Sequence, residues 1–302
     1  MENEEAAVFP IPNSQFPILF IVGPTASGKS SLAMELARQL GGEIVCADSQ
    51  TIRRDLDIGT AKPDKSDQTE IRHHMLDIIE PYDNYSVNQF KTDAVRAIGG
   101  IQTRNKMPII VGGTGLYINS LFFDYNVEQS SPANVKYKQK LESMSVDELQ
   151  KIITEKHYKM PKNKENPRHL IGVIVREGKS NTNTEPIMGA RIFGLLPDDE
   201  TLKNRISERV ENMFDDGFVD EVRLLIEKYG RPKAKMDAIG YPIVMRYIDG
   251  EISLSQAKQL FETAHWQYVR RQKSWFKTNP HITWLNNSSD GIGIILEEVK
   301  SY

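Results

Sequence analysis

The segment "VGPTASGKSS" (22–31) carries the clearest chemical signal of the sequence, a glycine followed by four residues and then by Gly-Lys-Ser. This spacing matches the phosphate-binding loop G-x-x-x-x-G-K-[ST]. In such a loop, backbone N–H groups and the start of the next helix face an anion, Lys29 adds a positive charge, and the Ser30 hydroxyl can bind Mg²⁺. The predicted phosphate-binding residues are Gly23, Pro24, Thr25, Ala26, Ser27, Gly28, Lys29 and Ser30.

The loop alone leaves the reaction open, because kinases, hydrolases and other enzymes share it. A hydrolase of this kind usually has a neighbouring apolar strand that ends in a metal-binding Asp. The segment "PIIVGG" (108–113) ends in glycines instead, whereas "EIVCADSQ" (43–50) reaches Asp48. Three uses are open to Asp48: it could hold a metal ion through water, accept a proton from a substrate, or cap a following helix with Ser49.

Strand and helix patterns alternate in the first third of the chain. They are carried by "FPILFIV" (16–22), "EIVCADSQ" (43–50), "VNQFKTDAVRAIGGIQTRNK" (87–106) and "MPIIVGGTGLYINSLF" (107–122). Such alternation is typical of a parallel sheet that binds its ligand at the carboxyl ends of the strands, where the loops after Val22, Ala47 and Val111 would lie. We predict an α/β fold with a P-loop NTPase-like parallel sheet flanked by helices.

The middle of the chain has a different character, with helical periodicity, no strong strand pattern and many lysines. After it, "ARIFGLLP" (190–197) predicts a strand that returns to the sheet. Two long helices follow, the first broken near Gly217, and then a short strand "ITWL" (282–285). We therefore predict a flexible leader over 1–16, the first part of the core over 17–123, a small helical insertion over 124–190, and the second part of the core over 191–302.

Composition narrows the class of protein. No run of about 18 apolar residues is present, so no membrane-spanning segment is predicted. The N-terminal residues are acidic and lack the pattern of a secretory signal. The single Cys46 excludes an internal disulfide and a cysteine-based zinc cluster, which fits the cytoplasm. The net charge of −3 does not by itself indicate nucleic-acid binding, so the local distribution of charge has to be considered.

Six segments together resemble the tRNA dimethylallyltransferases, also called tRNA isopentenyltransferases. They are "GPTASGKS" (23–30), "ADSQ" to "DIGTAKP" (47–63), "HHMLDIIEPYDNYSVNQF" (73–90), "PIIVGGTGLY" (108–117), "AIGY" (238–241) and "RRQKSWFK" (270–277). They occur in the order of the family and near its spacing, from Ile18 to Leu285. The combination of "DIGTAKP" with "GGTGLY" is highly specific, whereas a phosphate loop alone would be weak.

The resemblance implies transfer of a dimethylallyl group from dimethylallyl diphosphate to the exocyclic N6 amine of the adenosine beside the anticodon in tRNA. It also implies a P-loop-derived core with an inserted helical domain, the two gripping the anticodon loop. Asp48 matches the family residue that accepts the proton of the amine, and Thr114 matches the residue near the amine and the diphosphate. Together with Lys29, these are the predicted catalytic residues, and Mg²⁺ bound through Ser30 is the predicted cofactor.

The chemistry of the residues agrees with this reaction. An allylic diphosphate needs its leaving group neutralised, which loop amides, Lys29 and a metal ion would do. Diphosphate leaves whole, so a hydrolytic apparatus is not needed. An adenine amine is a poor nucleophile, and a carboxylate that accepts its proton assists the attack.

Two basic stretches could bind RNA phosphates, and the target base must be flipped into its pocket. Residues 136–168 carry nine Lys/Arg against five acidic residues, and residues 266–277 carry four basic residues and no acidic one. The aromatic residues of the second stretch, Trp266, Tyr268, Trp275 and Phe276, are expected in the core rather than stacked on bases. The predicted tRNA-binding residues are Asp48, Ser49, Gln50, Thr51, Thr114, Lys136, Arg168, His169, Arg270 and Arg271.

Several positions depart from the pattern of the family. Arg53 stands where a Tyr is usual, and His169 and Gly172 stand where arginines are expected. Asp237 and Pro242 occupy unusual places around "AIGY". These departures touch predicted tRNA and diphosphate contacts and leave the phosphate loop and Asp48 unchanged.

Other interpretations stay open. The pair His73-His74 could suggest a metal site, but adjacent residues do not share a helix face or a strand side, so structural or substrate-polarising roles are favoured. A free adenine-nucleotide isopentenyltransferase of the cytokinin type would share the core. A P-loop small-molecule kinase would release ADP, and a non-catalytic RNA-binding protein would not need Asp48. The resemblance suggests a monomer.

Overall fold

The computed structural model describes residues 16–124, 137, 139–161, 163–175, 177–178, 185–232, 236 and 238–302. Within these residues, six parallel strands form one sheet. They are β1 (Ile18–Val22), β2 (Gly42–Cys46), β3 (His73–His74), β4 (Met107–Gly112), β5 (Ala190–Leu195) and β6 (Thr283–Leu285). Their order across the sheet is β3-β2-β4-β1-β5-β6. The predicted parallel α/β fold is confirmed.

Helices connect and flank these strands. They are α1 (Lys29–Leu40), α2 (Lys65–Glu70), α3 (Val87–Thr103), α4 (Gly115–Phe122), α5 (Val146–Glu155), α6 (Pro167–Val175), α7 (Asp199–Asp215), α8 (Phe218–Tyr229), α9 (Tyr241–Ile248), α10 (Leu254–Phe276) and α11 (Ser288–Lys300). None of the helices in the described part of the chain has both the length and the hydropathy that a bilayer crossing requires.

The chain divides into two compact units. The core unit runs up to Phe122 and resumes at Pro186, and the second unit spans Phe123–Glu185, where the sequence predicted an insertion over 124–190. Within the second unit, α5 packs against α6. A capping box between Ser145 and Glu148 starts α5. One cluster of buried side chains in this unit consists of Leu141, Leu149, Ile153, Leu170, Ile171 and Ile174.

Strand β1 lies inside the sheet between β4 and β5. All five of its residues are buried, as expected for a parallel strand covered on both faces. Val22 pairs with Gly112, and Cys46 of β2 pairs with Val111. The carboxyl ends of β1, β4 and β2 are therefore adjacent and level, which places the three loops predicted to carry the chemistry side by side.

Strand β3 was not predicted from the sequence, because two residues are too few to produce a periodic signal. His74 pairs with Val45, and its Nε2 lies 2.7 Å from Glu43 Oε2. Arg104 donates two hydrogen bonds to the same carboxylate, at 3.0 and 2.7 Å. Burial alone would raise the pKa of Glu43, but Arg104 and His74 lower it to about 2. His74 thus has a structural role, one of the two roles that the sequence favoured for this pair.

The C-terminal half of the core unit contains a second apolar cluster, formed by α7, α8, α9 and α10. Phe218 lies edge-on to Tyr241, with ring centroids 4.9 Å apart, and packs against Phe261 at 5.5 Å. Gly217, with φ of 97°, separates α7 from α8 at the predicted break. Leu56 belongs to the same cluster, so the segment after β2 is anchored to these helices.

Gly59 tests how tightly this segment is packed. A Cβ atom at Gly59 would overlap the rings of Phe218 and Tyr241. We expect Gly59→Ala to lower the free energy of unfolding by about 1–3 kcal/mol, as overpacking of a core does. Urea denaturation measures this change.

The matched control is Gly293→Ala on α11, where an added Cβ would meet nothing within 4 Å. This variant should be neutral or more stable by about 0.5–1 kcal/mol, because alanine favours the helix. Equal stability of Gly59→Ala and the unmodified protein would contradict the proposed packing.

Candidate active site

The phosphate loop (residues 23–30) leaves β1 and enters α1 with its backbone open to an anion. Gly28, with φ of 93°, is the N-terminal cap of α1 and supplies no side-chain acceptor to the first-turn amides. Ala26 also has a positive φ, 63°. Lys29 folds back across the loop and donates from Nζ to the Pro24 carbonyl at 3.2 Å. This is the geometry expected of a loop that binds phosphate through its amides.

The loop after β2 contacts the turn after β4. The Ser49 amide donates to Thr114 Oγ1 at 3.1 Å, and the Thr114 amide donates to the Ala47 carbonyl at 3.3 Å. Asp48 Oδ1 accepts a hydrogen bond from the Gln50 amide at 2.8 Å. The next described helix, α2, begins only at Lys65, so the alternative that Asp48 caps a following helix is wrong. Asp48 and Thr114 thus belong to one corner of the site.

A buried glutamine joins the phosphate loop to the β4 turn. Gln272 of α10 accepts a hydrogen bond from the Thr25 amide at 2.9 Å and donates from Nε2 to the Gly113 carbonyl at 3.0 Å. The residue is 4% exposed. An amide group suits this place because it is a donor at one end and an acceptor at the other. Sequence reasoning did not identify Gln272 as a site residue.

Two arginines of α7, one helical turn apart, were also missed. Arg205 donates to the carbonyls of Ala26 and Ser27 at 3.3 and 3.2 Å, so it braces the phosphate loop from outside. Arg209 lines the cavity described below and donates to the Thr60 carbonyl at 3.4 Å. Burial lowers the pKa of Arg209 from its ordinary value, and the nearby Asp48 carboxylate opposes this change.

The DIGTAKP loop (residues 57–63) is held by Glu221 of α8. The Glu221 carboxylate accepts hydrogen bonds from the amides of Asp57, Ile58 and Gly59 at 3.0, 2.6 and 3.2 Å, and from the Tyr241 hydroxyl at 2.7 Å. A carboxylate bound by several amides fixes a loop more firmly than a neutral acceptor would.

The other end of this loop is fixed by Lys62. Its side chain is 3% exposed and lies 2.5 Å from both Asp57 Oδ1 and Asp77 Oδ1. It also donates to the Arg53 carbonyl at 2.8 Å. Because the buried ammonium is paired on several sides, the loop keeps one position beside the cavity.

These elements enclose a cavity of about 420 Å³ within the core unit. Its lining includes Lys29 and Ser30 of the phosphate loop region, Asp48 with the three residues after it, the DIGTAKP loop from Gly59, Arg209, and three residues of α10, His265, Tyr268 and Arg271. The lining therefore combines the cationic side chains of Lys29, Arg209 and Arg271 with the Asp48 carboxylate and the polar side chains of the β2 loop.

The electrostatics of the cavity follow from burial and from these charges. Burial lowers the pKa of Lys29 to about 8; Arg209 adds to this effect and Asp48 opposes it. Burial raises the pKa of Tyr268 to about 12, with a further contribution from Asp48. The pKa of Cys46, at the end of β2, is likewise raised by burial to about 12, so it stays a thiol at neutral pH.

Unpartnered polar atoms concentrate in this region. Buried side-chain atoms without a hydrogen-bond partner include Gln50 Oε1, Thr51 Oγ1, Arg209 Nε and His265 Nδ1, all on residues that line the cavity, and Ser27 Oγ in the phosphate loop. Buried polar groups in folded proteins almost always have partners. The concentration of exceptions here points to a polar ligand that supplies the hydrogen-bond partners.

The predicted tRNA-binding residues fall into separate groups. Asp48, Ser49, Gln50, Thr51 and Arg271 line the cavity. Arg270, by contrast, lies on another face of α10 with Lys273, whose ammonium contacts Asp199. Arg168 and His169 are exposed at the start of α6 in the second unit, and Lys136 lies outside the described residues.

The aromatic residues of α10 only partly follow the expectation of a core position. Phe276 is buried, with 1% exposure, whereas Trp275 is 43% exposed and lies against Gly115. Tyr268 lines the cavity. The expectation is wrong for Trp275 because its face of the helix extends beyond the core.

The remaining notable positions have local explanations. His73 lines the cavity, and its Nδ1 is 2.7 Å from the Ile71 carbonyl. Among the residues described, no group of three or more His, Cys, Asp or Glu side chains could hold a metal ion.

Arg53, at a family tyrosine position, donates to the carbonyls of Pro81 and Asp83 at 2.7 and 2.8 Å. Pro242 lies in the first turn of α9, where proline is tolerated. Asp237 lies outside the described residues.

Gln272 gives a direct test of the site's architecture. We expect Gln272→Leu to lower the free energy of unfolding by about 2–4 kcal/mol, because the Thr25 amide and the Gly113 carbonyl would lose their partner in a buried place. The control is Gln267→Leu, at an exposed position of the same helix, which should change stability by less than about 0.5 kcal/mol. Chemical denaturation of both variants measures the difference. Equal effects would contradict the role of Gln272 in joining the phosphate loop to the β4 turn.

Comparisons with known proteins identify the family that the chain resembles. The family model described as IPP transferase matches residues 51–279, and the model described as isopentenyl transferase matches residues 16–80. A tRNA dimethylallyltransferase of Streptococcus uberis is 38% identical over 293 residues, covering 94% of this chain and 95% of the relative. That of Macrococcus caseolyticus is 35% identical over 300 residues, covering 95% and 96%.

Solved structures of tRNA isopentenylpyrophosphate transferases resemble the chain along nearly its whole length. The tRNA isopentenylpyrophosphate transferase of Staphylococcus epidermidis superposes with a TM-score of 0.71 and 31% identity, covering 95% of this chain and all of that one. The enzyme of Bacillus halodurans gives a TM-score of 0.71 and 28% identity, covering 95% and 98%. The phosphate loop, the Asp48 corner and these likenesses along nearly the whole chain lead to one conclusion: the chain belongs to the tRNA dimethylallyltransferase family.

Proposed function

We propose that this protein transfers a dimethylallyl group from dimethylallyl diphosphate to the N6 amine of the adenosine beside the anticodon of a tRNA. One observation carries the proposal: Asp48 opens into the same cavity as the phosphate loop and Arg209. A proton acceptor and an anion cradle thus face one cavity. The names of the relatives support the choice of tRNA as the acceptor.

The leaving group is the diphosphate, and the cationic groups of the cavity would receive it. The amides of the phosphate loop, Lys29 and Arg209 would neutralise the charge that develops when the bond between carbon and oxygen breaks, since Lys29 and Arg209 line the cavity. Arg205 keeps the loop in shape by binding its carbonyls. These groups are fixed before the reaction, so little reorganisation is needed as the charge develops.

Mg²⁺ is the cofactor that we propose, held through the Ser30 hydroxyl, which is exposed at the start of α1. Since the described residues offer no cluster of acidic or histidine ligands, the ion would take its other ligands from the diphosphate and water, as Mg²⁺ commonly does. When bound it supplies further positive charge to the leaving group.

The nucleophile is the N6 amine, and Asp48 would take its proton. A bond forms between N6 and the allylic carbon, the bond from that carbon to the diphosphate oxygen breaks, and one N6 proton passes to the Asp48 carboxylate. The Gln50 amide holds Asp48 Oδ1, which leaves Oδ2 for the proton. Thr114 Oγ1, fixed by the Ser49 amide, borders the same corner and would orient the amine.

The proposal also covers the contacts with tRNA, the oligomeric state and the location of the protein. Ser49, Gln50, Thr51 and Arg271 would contact the flipped base, and Arg168, His169 and Arg270 would contact RNA phosphates. A monomer acting in the cytoplasm is part of the same proposal; the single Cys46, free and buried, supports a reducing compartment.

The test is incubation with unmodified tRNA, Mg²⁺ and dimethylallyl diphosphate, followed by mass analysis of the nucleosides. We expect adenosine to gain one five-carbon unit. Asp48→Asn should reduce the rate by about 10²–10⁴-fold, because the amide cannot accept the proton. Asp220→Asn, the same chemical change on the exposed side of α8, should leave the rate unchanged.

The other functions are outcomes of the same assay. AMP or ATP replaces tRNA in a parallel reaction, and prenylation of these nucleotides without turnover of tRNA would favour the free-nucleotide enzyme. Release of ADP and a phosphorylated product would favour a kinase. An unmodified adenosine, or full activity of Asp48→Asn, would overturn the proposal.

Lys29 predicts a pH dependence. Its pKa of about 8 means that the ammonium is charged below this pH and loses its charge above it. We expect kcat/KM for dimethylallyl diphosphate to fall as the pH rises through about 8, since this ratio reports the free enzyme. Lys29→Arg, although slower, should lack this decline because arginine stays charged. A decline of equal midpoint in both proteins would contradict the assignment to Lys29.

A further inference from the structure

His265 of α10 has a buried nitrogen that the proposed mechanism does not use. The residue is 5% exposed, and its Nδ1 has no hydrogen-bond partner. Its ring stacks on Phe261, with centroids 4.4 Å apart and an angle of 26° between the planes. The stack fixes the orientation of the ring, and His265 lines the cavity. An unsatisfied polar atom held in place beside a cavity is typical of a binding site without its ligand.

The surroundings of His265 indicate which ligand it meets. Arg209 acts electrostatically on both His265 and Lys29, and all three side chains line the same cavity. Arg209 Nε is also unpartnered and buried. Ala26 of the phosphate loop packs against the apolar cluster that contains Phe261. Arg209 and this cluster therefore both connect His265 with the phosphate loop.

The protonation of His265 restricts what it can do. Burial lowers its pKa to about 3, and Arg209 adds to this effect. The imidazole is therefore neutral at physiological pH, and it can donate one hydrogen bond without placing a second full charge beside Arg209. A neutral ring N–H of His265 and the unpartnered Nε–H of Arg209 are two donors in the same cavity, which suit an anionic oxygen.

We propose that His265 binds the diphosphate of the prenyl donor, donating from Nδ1–H to a diphosphate oxygen that also accepts from Arg209 Nε. The assignment rests on the proposed function and adds a binding residue to it. His265 extends the diphosphate cradle from the phosphate loop onto α10, the helix that also carries Tyr268 and Gln272 at spacings of three and seven residues. One face of α10 thereby contacts the leaving group, the Thr114 corner and the loop backbone.

The experiment compares variants that keep or remove this donor. His265→Phe keeps the ring that stacks on Phe261 and removes the nitrogen, and His265→Asn places an amide N–H close to the position of Nδ1. Calorimetric titration with inorganic diphosphate and Mg²⁺ should show about ten-fold weaker binding for His265→Phe and a largely restored affinity for His265→Asn. His281→Phe makes the same change at an exposed position outside the cavity and should bind as the unmodified protein does.

Kinetics with tRNA separate this role from a structural one. The KM for dimethylallyl diphosphate should rise about ten-fold in His265→Phe, while the KM for tRNA and kcat stay nearly constant, since the contact is made in both the ground state and the transition state. A raised KM for tRNA with unchanged diphosphate affinity would mean that His265 contacts the base, and would overturn the inference.

The unmodified protein provides a measurement that does not depend on the folding of a variant. In ¹⁵N-histidine-labelled protein, diphosphate should produce an exchange-protected Nδ1–H signal of His265. A neutral ring with an unprotonated Nδ1 in the complex would contradict the inference. If the unmodified protein transfers the prenyl group but His265→Phe binds diphosphate normally, this inference alone fails. If the unmodified protein transfers nothing to tRNA, the proposed function fails.

Discussion

One buried amide group sets the distance between the two halves of the chemistry. Gln272 ties the Thr25 amide of the phosphate loop to the Gly113 carbonyl at the end of β4. Reacting groups have to be held within roughly 3–3.5 Å of each other for efficient transfer. The anion cradle follows β1, and the proton acceptor is fixed against the β4 turn through Ser49 and Thr114. A shift of this amide would therefore move the leaving group relative to the proton acceptor, Asp48.

A rigid support makes this amide effective. Helix α10 runs for 23 residues and starts from a capping box between Ser253 and Gln256. It packs against α7, α9 and α4. Helix α7 in turn braces the phosphate loop through Arg205, and α8 holds the DIGTAKP loop through Glu221. The C-terminal helices thus act as a frame that holds three separate loops around one cavity.

Much of the fold was predictable, because buried parallel strands leave continuous apolar runs and their loops leave glycines. β1, β2, β4 and β5 were found in this way, and so was the break at Gly217. The order of the strands was not, since nothing in the local sequence says that β4 enters between β2 and β1. β3 was missed because its pairing depends on the sheet rather than on any periodicity.

The site was predictable where a motif marks it and not where helices supply it. The phosphate loop and the corner of Asp48 and Thr114 follow from strand ends that meet. Arg209 lies in a helix so rich in charges that no local signal singles it out, although its spacing of four from Arg205 indicates a shared face. His265, Tyr268 and Gln272 likewise share a face at helical spacing. Which face points inward depends on tertiary packing, which the sequence alone does not show.

The position of β1 has a consequence for folding during synthesis of the protein. This strand is made first but has β5 as one of its two neighbours, and β5 begins only at Ala190. A nascent chain that has emerged as far as α4 can form β1, β4 and β2, yet it lacks Arg209, Glu221 and Gln272. Domains emerge from the ribosome from their N-terminal end. The side chains that complete the anion site are therefore added only in the last third of translation, and a truncated chain would carry the phosphate loop without the helices that hold it.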